Sequence, residues 1–171
     1  MIDLRKKTLF LLDMDGTIYL GDRLFDGTLD FLRRVRERGG RYLFATNNSS
    51  RSVTAYVERL RGMGIDAEAE DFLTSVDATV WYLRNHGFQD TLIYASGTRT
   101  FQDQLRQAGF RVTDRREAGI GLLLHGFDTE LTFQKLEDSC ILLGDPKVDF
   151  IATNPDWVCP TAWGSVPDCG S

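Results

Sequence analysis

Short apolar runs and segments of helical period alternate along almost the whole chain, and that alternation leaves few folds open. Thr8 to Leu12, Arg41 to Ala45, Thr91 to Ala95, Ile120 to Leu124 and Phe150 to Thr153 read as strands. Between them, Thr28 to Arg38, Ser52 to about Met63, Thr74 to Asn85, Thr98 to Gln107 and Leu131 to Leu143 carry apolar residues at helical spacing. Gly39-Gly40 stops the first of these helices, and Ser52 and Gly64 bracket the second as cap and stop. A strand, a helix and a second strand in this order make a right-handed parallel β-α-β unit, so the chain is α/β throughout. A domain boundary falls around Phe72 to Ser75, and the Pro- and Gly-rich stretch from Cys159 to Ser171 reads as a loop near a binding cleft.

Composition narrows the function classes. A net charge of -5 argues against non-specific nucleic-acid binding, which needs a basic surface. The run Arg33, Arg34, Arg36 and Arg38 falls within one helix and reads as a solvated face. No apolar run is long enough to span a bilayer, and no secretory leader pattern appears at the start. The 3 cysteines, Cys140, Cys159 and Cys169, have no C-x-x-C spacing and fit free thiols in a reducing cytoplasm. A cytoplasmic protein with no membrane partner is the expectation.

The chemistry gathers directly after the first strand, at Asp13-Met14-Asp15-Gly16-Thr17. Carboxylates two residues apart on extended chain project to the same side, so Asp13 and Asp15 can address one substrate. One can attack a phosphoryl group as a nucleophile, while the other protonates the leaving oxygen and later deprotonates water. Gly16 permits a tight turn, with amides at Met14 and Gly16 aimed at phosphate oxygens. After the second strand comes Thr46-Asn47-Asn48, a polar loop at the same sheet edge as Asp13, where open α/β folds bind ligands. There the Thr46 hydroxyl and the Asn47 amide can donate to a phosphoryl group.

The pairing of Leu11-Leu12-Asp13-Met14-Asp15-Gly16-Thr17-Ile18-Tyr19 with Phe44-Ala45-Thr46-Asn47-Asn48-Ser49-Ser50 resembles the first two motifs of the haloacid dehalogenase-like phosphatases, best in their capped p-nitrophenylphosphatase and phosphoglycolate phosphatase branch. Phe150 to Asp156, Cys159-Pro160-Thr161 and Val166 to Ser171 resemble the late part of that branch's α/β cap. The resemblance implies that residues 1–74 form the first half of a doubly wound, Rossmann-like parallel-sheet core and residues 75–171 most of a cap. It implies a phosphomonoester hydrolase acting on small phosphorylated metabolites, sugar phosphates or p-nitrophenyl phosphate through an aspartyl-phosphate, with Mg2+ as cofactor. Asp13 is then nucleophile and metal ligand, Asp15 general acid/base and, through its backbone carbonyl, metal ligand, and Met14, Gly16, Thr46, Asn47 and Asn48 the phosphate contacts. A homodimer through the cap is the assembly to look for.

The family also uses a lysine and a late acidic pair that this sequence does not convincingly supply. Lys6 and Lys7 precede the first strand, while Lys135 and Lys147 fall in the cap region. Gly144-Asp145-Pro146-Lys147-Val148-Asp149 imitates the acidic motif but continues a helical pattern, so it reads as a helix-ending turn. A truncated product that keeps the nucleophile but loses most activity is the expectation, with an unpaired strand edge and an uncovered apolar face. His86, His125, Arg99 and Asp156 are lesser candidates. The competing reading is a non-catalytic module that keeps the fold to bind phosphate or a partner; a phosphoryl-accepting signalling domain is a further rival.

Overall fold

A computed structural model describes residues 4–161 and 163–171. The chain divides into two compact units. The first takes the N-terminal part through Thr46 together with Val53–Leu73 and Pro160–Ser165, and the second takes Asn47–Ser52, Thr74–Cys159 and Val166–Ser171.

The first unit opens with β1 (Leu9–Asp13), then a small antiparallel hairpin of β2 (Tyr19–Leu20) and β3 (Arg23–Leu24), followed by α1 (Thr28–Glu37), β4 (Arg41–Thr46), α2 (Val53–Gly62) and β5 (Phe72–Thr74). The sheet order is β1-β4-β5, with β1 and β4 parallel. Its core forms around Met14, Phe44, Tyr56, Leu60 and Phe72, all nearly or fully removed from solvent. Leu32 and Val35, one turn apart on α1, face this core. On the outer face of α1, Arg33 pairs with Asp30 and Glu37, and Arg34 lies 2.8 Å from Asp30, so the arginine run is the solvated face that its helical spacing predicts.

The expected bare edge is present. Among the described residues β1 pairs on one side only, and alternation along it leaves Leu9 55% and Leu11 62% exposed.

The second unit contains α3 (Ser75–Asn85), β6 (Leu92–Ser96), α4 (Arg99–Gln107), β7 (Arg111–Thr113), β8 (Ile120–His125), α5 (Phe133–Leu143) and β9 (Asp149–Ala152). Its sheet runs β7-β6-β8-β9 and is parallel at every pairing. Three threonines start its helices by accepting a backbone N–H on their hydroxyls: Thr74 from Asp77, Thr98 from Phe101 and Thr132 from Lys135. At α3 the Asp77 carboxylate returns the bond to the Thr74 N–H at 2.9 Å, completing a capping box. Tyr94 and Leu123 pack on one face of the central strands, and Ile93, Leu122 and Leu124 on the other.

Two expectations change. The Cys159 to Ser171 stretch is not a loop: β10 (Val158–Thr161) and β11 (Gly164–Pro167) pair as a two-stranded sheet. Pro160 and Pro167 disguise it, because proline argues against a central strand but is tolerated on an edge ribbon. The strands β2, β3, β5 and β7 also escape a pattern reading, being two or three residues long, too short to show alternation. The Gly144 to Asp149 segment is the expected helix-ending turn. There the Gly144 N–H donates to the Ile141 carbonyl and the Asp145 carboxylate accepts from the Lys147 N–H at 2.9 Å.

Candidate active site

Register fixes the heart of the site. Asp13 stands opposite Ala45 across the parallel β1–β4 pair, so Thr46 is one residue beyond the partner of Asp13 at the same end of the sheet. Beyond Asp13 the chain is pinned by Met14, whose side chain is fully buried, while Asp13 is exposed and Asp15 half-buried on either side of it. The anchor and the alternation together turn both carboxylates away from the core. The Thr17 hydroxyl donates to Asp13 Oδ2 at 3.4 Å, tying the motif's threonine to its first aspartate.

The loop closes on its own backbone. The Met14 carbonyl accepts from Thr17 N–H at 3.2 Å and Ile18 N–H at 3.0 Å, and the Gly16 N–H donates to the Tyr19 carbonyl at 2.8 Å. Gly16 has φ +82°, a left-handed conformation that disfavours any side chain. The turn that needs a glycine also aims its N–H back at Tyr19, so Gly16 shapes the loop.

The second loop divides its duties. Thr46 is buried at the end of β4, whereas Asn47 through Ser52 are organised by the second unit. The Asn47 carbonyl accepts from the Ser75 hydroxyl at 2.8 Å and from Asn154 Nδ2 at 3.1 Å, and its side-chain Nδ2 donates to the Asp156 carboxylate. Asn48 Oδ1 accepts from the Ser50 N–H at 2.9 Å and hydroxyl at 2.6 Å, closing a turn on itself. Its side-chain oxygen therefore builds the loop. Ser49, fully buried, accepts from the Phe127 N–H at 2.8 Å.

A family model described as haloacid dehalogenase-like hydrolase matches residues 10–111, which spans both loops. The chain belongs to the haloacid dehalogenase-like hydrolases. It is 31% identical over 162 residues to an acid sugar phosphatase of Staphylococcus haemolyticus, covering 95% of this chain and 60% of that protein. Among solved structures it is similar to a 4-nitrophenylphosphatase from Thermotoga maritima, with 38% identity, a TM-score of 0.88, and coverage of 98% of this chain and 62% of that one. A glycerol phosphate phosphatase from Mycobacterium tuberculosis in complex with magnesium gives 26% identity and a TM-score of 0.86, covering 99% and 51%. The chain thus spans less than two thirds of each relative, and its likeness is to the capped branch that its motifs resemble.

Within this haloacid dehalogenase-like chain, the hard oxygen donors of the first loop include the Asp13 carboxylate and the Asp15 backbone carbonyl. No group of three or more His, Cys, Asp or Glu side chains able to hold a metal occurs among the described residues. The Asp13 carboxylate and the Asp15 backbone carbonyl suit magnesium as a partial shell, since that ion is held by few protein oxygens and keeps several waters. No helix among the described residues is long and apolar enough to cross a membrane.

The lesser candidates have structural duties. His86 caps α3, with Nδ1 2.8 Å from the Tyr82 carbonyl and its ring stacked on Tyr82. The Arg99 N–H donates to Glu130 at the start of α4. His125 ends β8, where burial pushes its imidazole below the usual 6.5, partly opposed by the Asp128 carboxylate. A buried neutral imidazole makes the unfolded chain bind more protons than the folded one below about pH 6.5. Stability from this group is therefore full above that pH and lost as pH falls toward the lowered folded value. Denaturant titrations at pH 7.5 and 5.5 are expected to show the loss, and His125→Gln is expected to flatten it; an unchanged pH slope in the variant would count against the assignment.

Proposed function

We propose that this chain supplies the nucleophile, the general acid/base and phosphate contacts of a magnesium-dependent phosphomonoesterase acting on small phosphorylated metabolites, sugar phosphates or p-nitrophenyl phosphate. The observation that carries this reading is the register that sets Asp13 beside Thr46 at the ends of adjacent parallel strands, with Asp15 two residues on. Residues 1–74 act as the first part of the catalytic core and residues 75–171 as cap, in a cytoplasmic setting.

In the first step a carboxylate oxygen of Asp13 attacks phosphorus, the ester P–O bond breaks, and Asp15 gives its proton to the departing alkoxide. In the second, Asp15 takes a proton from water as the water oxygen attacks phosphorus, and the bond to Asp13 breaks to release phosphate. The Thr46 hydroxyl, the Asn47 amide and the backbone at Met14 hold the phosphoryl oxygens, while Asn48 shapes the loop that presents them. The Asp13 carboxylate and the Asp15 backbone carbonyl would hold magnesium, which when bound would supply positive charge against the negative charge of the phosphoryl oxygens.

The test is an assay of the protein against p-nitrophenyl phosphate and a panel of sugar phosphates, with magnesium and with a chelator. Magnesium-dependent phosphate release is expected, falling about 100-fold or more in Asp15→Asn because proton transfer to the leaving oxygen is lost. Turnover indifferent to both the metal and Asp15 would reject the mechanism, and phosphate binding without turnover would favour a binding module.

A further inference from the structure

Asp156 follows Asn47 by 109 residues, yet its carboxylate accepts a hydrogen bond from the Asn47 side-chain nitrogen. The segment that delivers it is firmly held. Asn154 is only 6% exposed; its Oδ1 accepts the Asp156 N–H at 2.8 Å, and its Nδ2 donates to the Asn47 carbonyl at 3.1 Å and to Asp168 Oδ1 at 3.3 Å. With the Ser75 hydroxyl also on the Asn47 carbonyl, Asn47 is gripped on both main chain and side chain by residues of its own unit.

The chemistry of the amide gives this grip a consequence. A carboxamide presents either an acceptor oxygen or a nitrogen with two N–H donors, and rotation about its last side-chain bond exchanges them. An anion is attracted by the nitrogen and repelled by the oxygen. A carboxylate can only accept, so Asp156 selects the nitrogen and removes the flipped state. The nitrogen's second N–H is then presented in a fixed orientation.

We propose that Asp156 is a positioning residue for phosphate capture, locking the Asn47 carboxamide in its donor orientation. This deepens the reading above and rests on Asn47 being a phosphate contact. Asp156 carries a negative charge that also repels phosphate, but both side chains are exposed and water screens that repulsion. The orientation effect dominates, and the sign of a substitution separates the two.

The experiment is titration of the protein with inorganic phosphate in the presence of magnesium, followed by calorimetry. Asp156→Ala is expected to weaken binding about tenfold, the scale of a lost hydrogen bond to a charged group. Asp156→Asn, whose carboxamide can pair with either end of the Asn47 amide, loses the selection but keeps a hydrogen bond, and is expected to fall between the parent and Asp156→Ala. In an Asn47→Ala background, Asp156→Ala is expected to change nothing further, which a general loosening of the loop would not reproduce. Should Asp156→Ala fail to fold, Asp156→Ser, too short to reach Asn47, reads the same loss. Equal or tighter binding by Asp156→Ala overturns the proposal, as do additive effects in the double variant or no phosphate binding by the parent. A chain that forms a phosphoenzyme while its affinity ignores Asp156 sinks this inference alone. One that forms none sinks the hydrolase mechanism but leaves the binding comparison readable.

Discussion

Asp13→Asn is expected to abolish turnover, by about a thousandfold or more, while leaving the fold intact. The carboxamide matches the carboxylate in shape but cannot attack phosphorus, and no other described side chain stands at that strand position. Little structure depends on the charge: Asp13 is exposed at the end of β1, and it accepts from the Thr17 hydroxyl at 3.4 Å, a bond that an amide oxygen can also accept. Denaturation midpoints should therefore coincide. Incubation with substrate followed by rapid acid quench and intact-mass measurement should trap a phosphorylated parent and an unmodified variant. Retained turnover in Asp13→Asn would end the case for a covalent intermediate.

The largest expected loss of stability comes from Lys135→Met in the second unit. The Lys135 ammonium donates to Asp128 Oδ2 at 2.7 Å and to the carbonyls of Gly97 and Glu130 at 3.0 Å each. The side chain of Asp128 is 3% exposed and that of Lys135 18%. Removing the cation leaves the buried Asp128 carboxylate without its charge partner, which costs about 3–5 kcal/mol in comparable pairs. Replacing both partners, Lys135→Met with Asp128→Leu, should restore part of the loss, because the stranded charge is gone. Urea denaturation checks both, and a loss under about 1 kcal/mol for the single variant would mean that water already solvates Asp128. The same ion pair explains why Lys135 is a poor source of the positive charge that a phosphatase site needs.

How far the chain could be read in advance depends on the range of the interactions. The strands β1 and β4 and the five α-helices among the described residues are visible because apolar period, caps and stops are local properties. Asp13 and Thr46 are legible as neighbours because parallel strands share an edge, and the register bears this out. Gly16 signals a tight turn, but the sequence does not reveal that its N–H turns back to the Tyr19 carbonyl. Asp156 stays ambiguous between solvent and site because its partner Asn47 is brought to it by tertiary folding. The β10–β11 ribbon is hidden by its prolines, which local propensity penalises and an edge position forgives.

The uncovered side of β1 bears on reactivity as well as on solubility. Side chains two apart on a strand share a face, so Leu9, Leu11 and Asp13 stand in one row. Anything apolar that settles on the two leucines also thins the water beside the carboxylate, strengthening every charge interaction it makes. Shielding of that row and the electrostatic tuning of the Asp13 carboxylate are thus a single variable, set by whatever rests against the leucines.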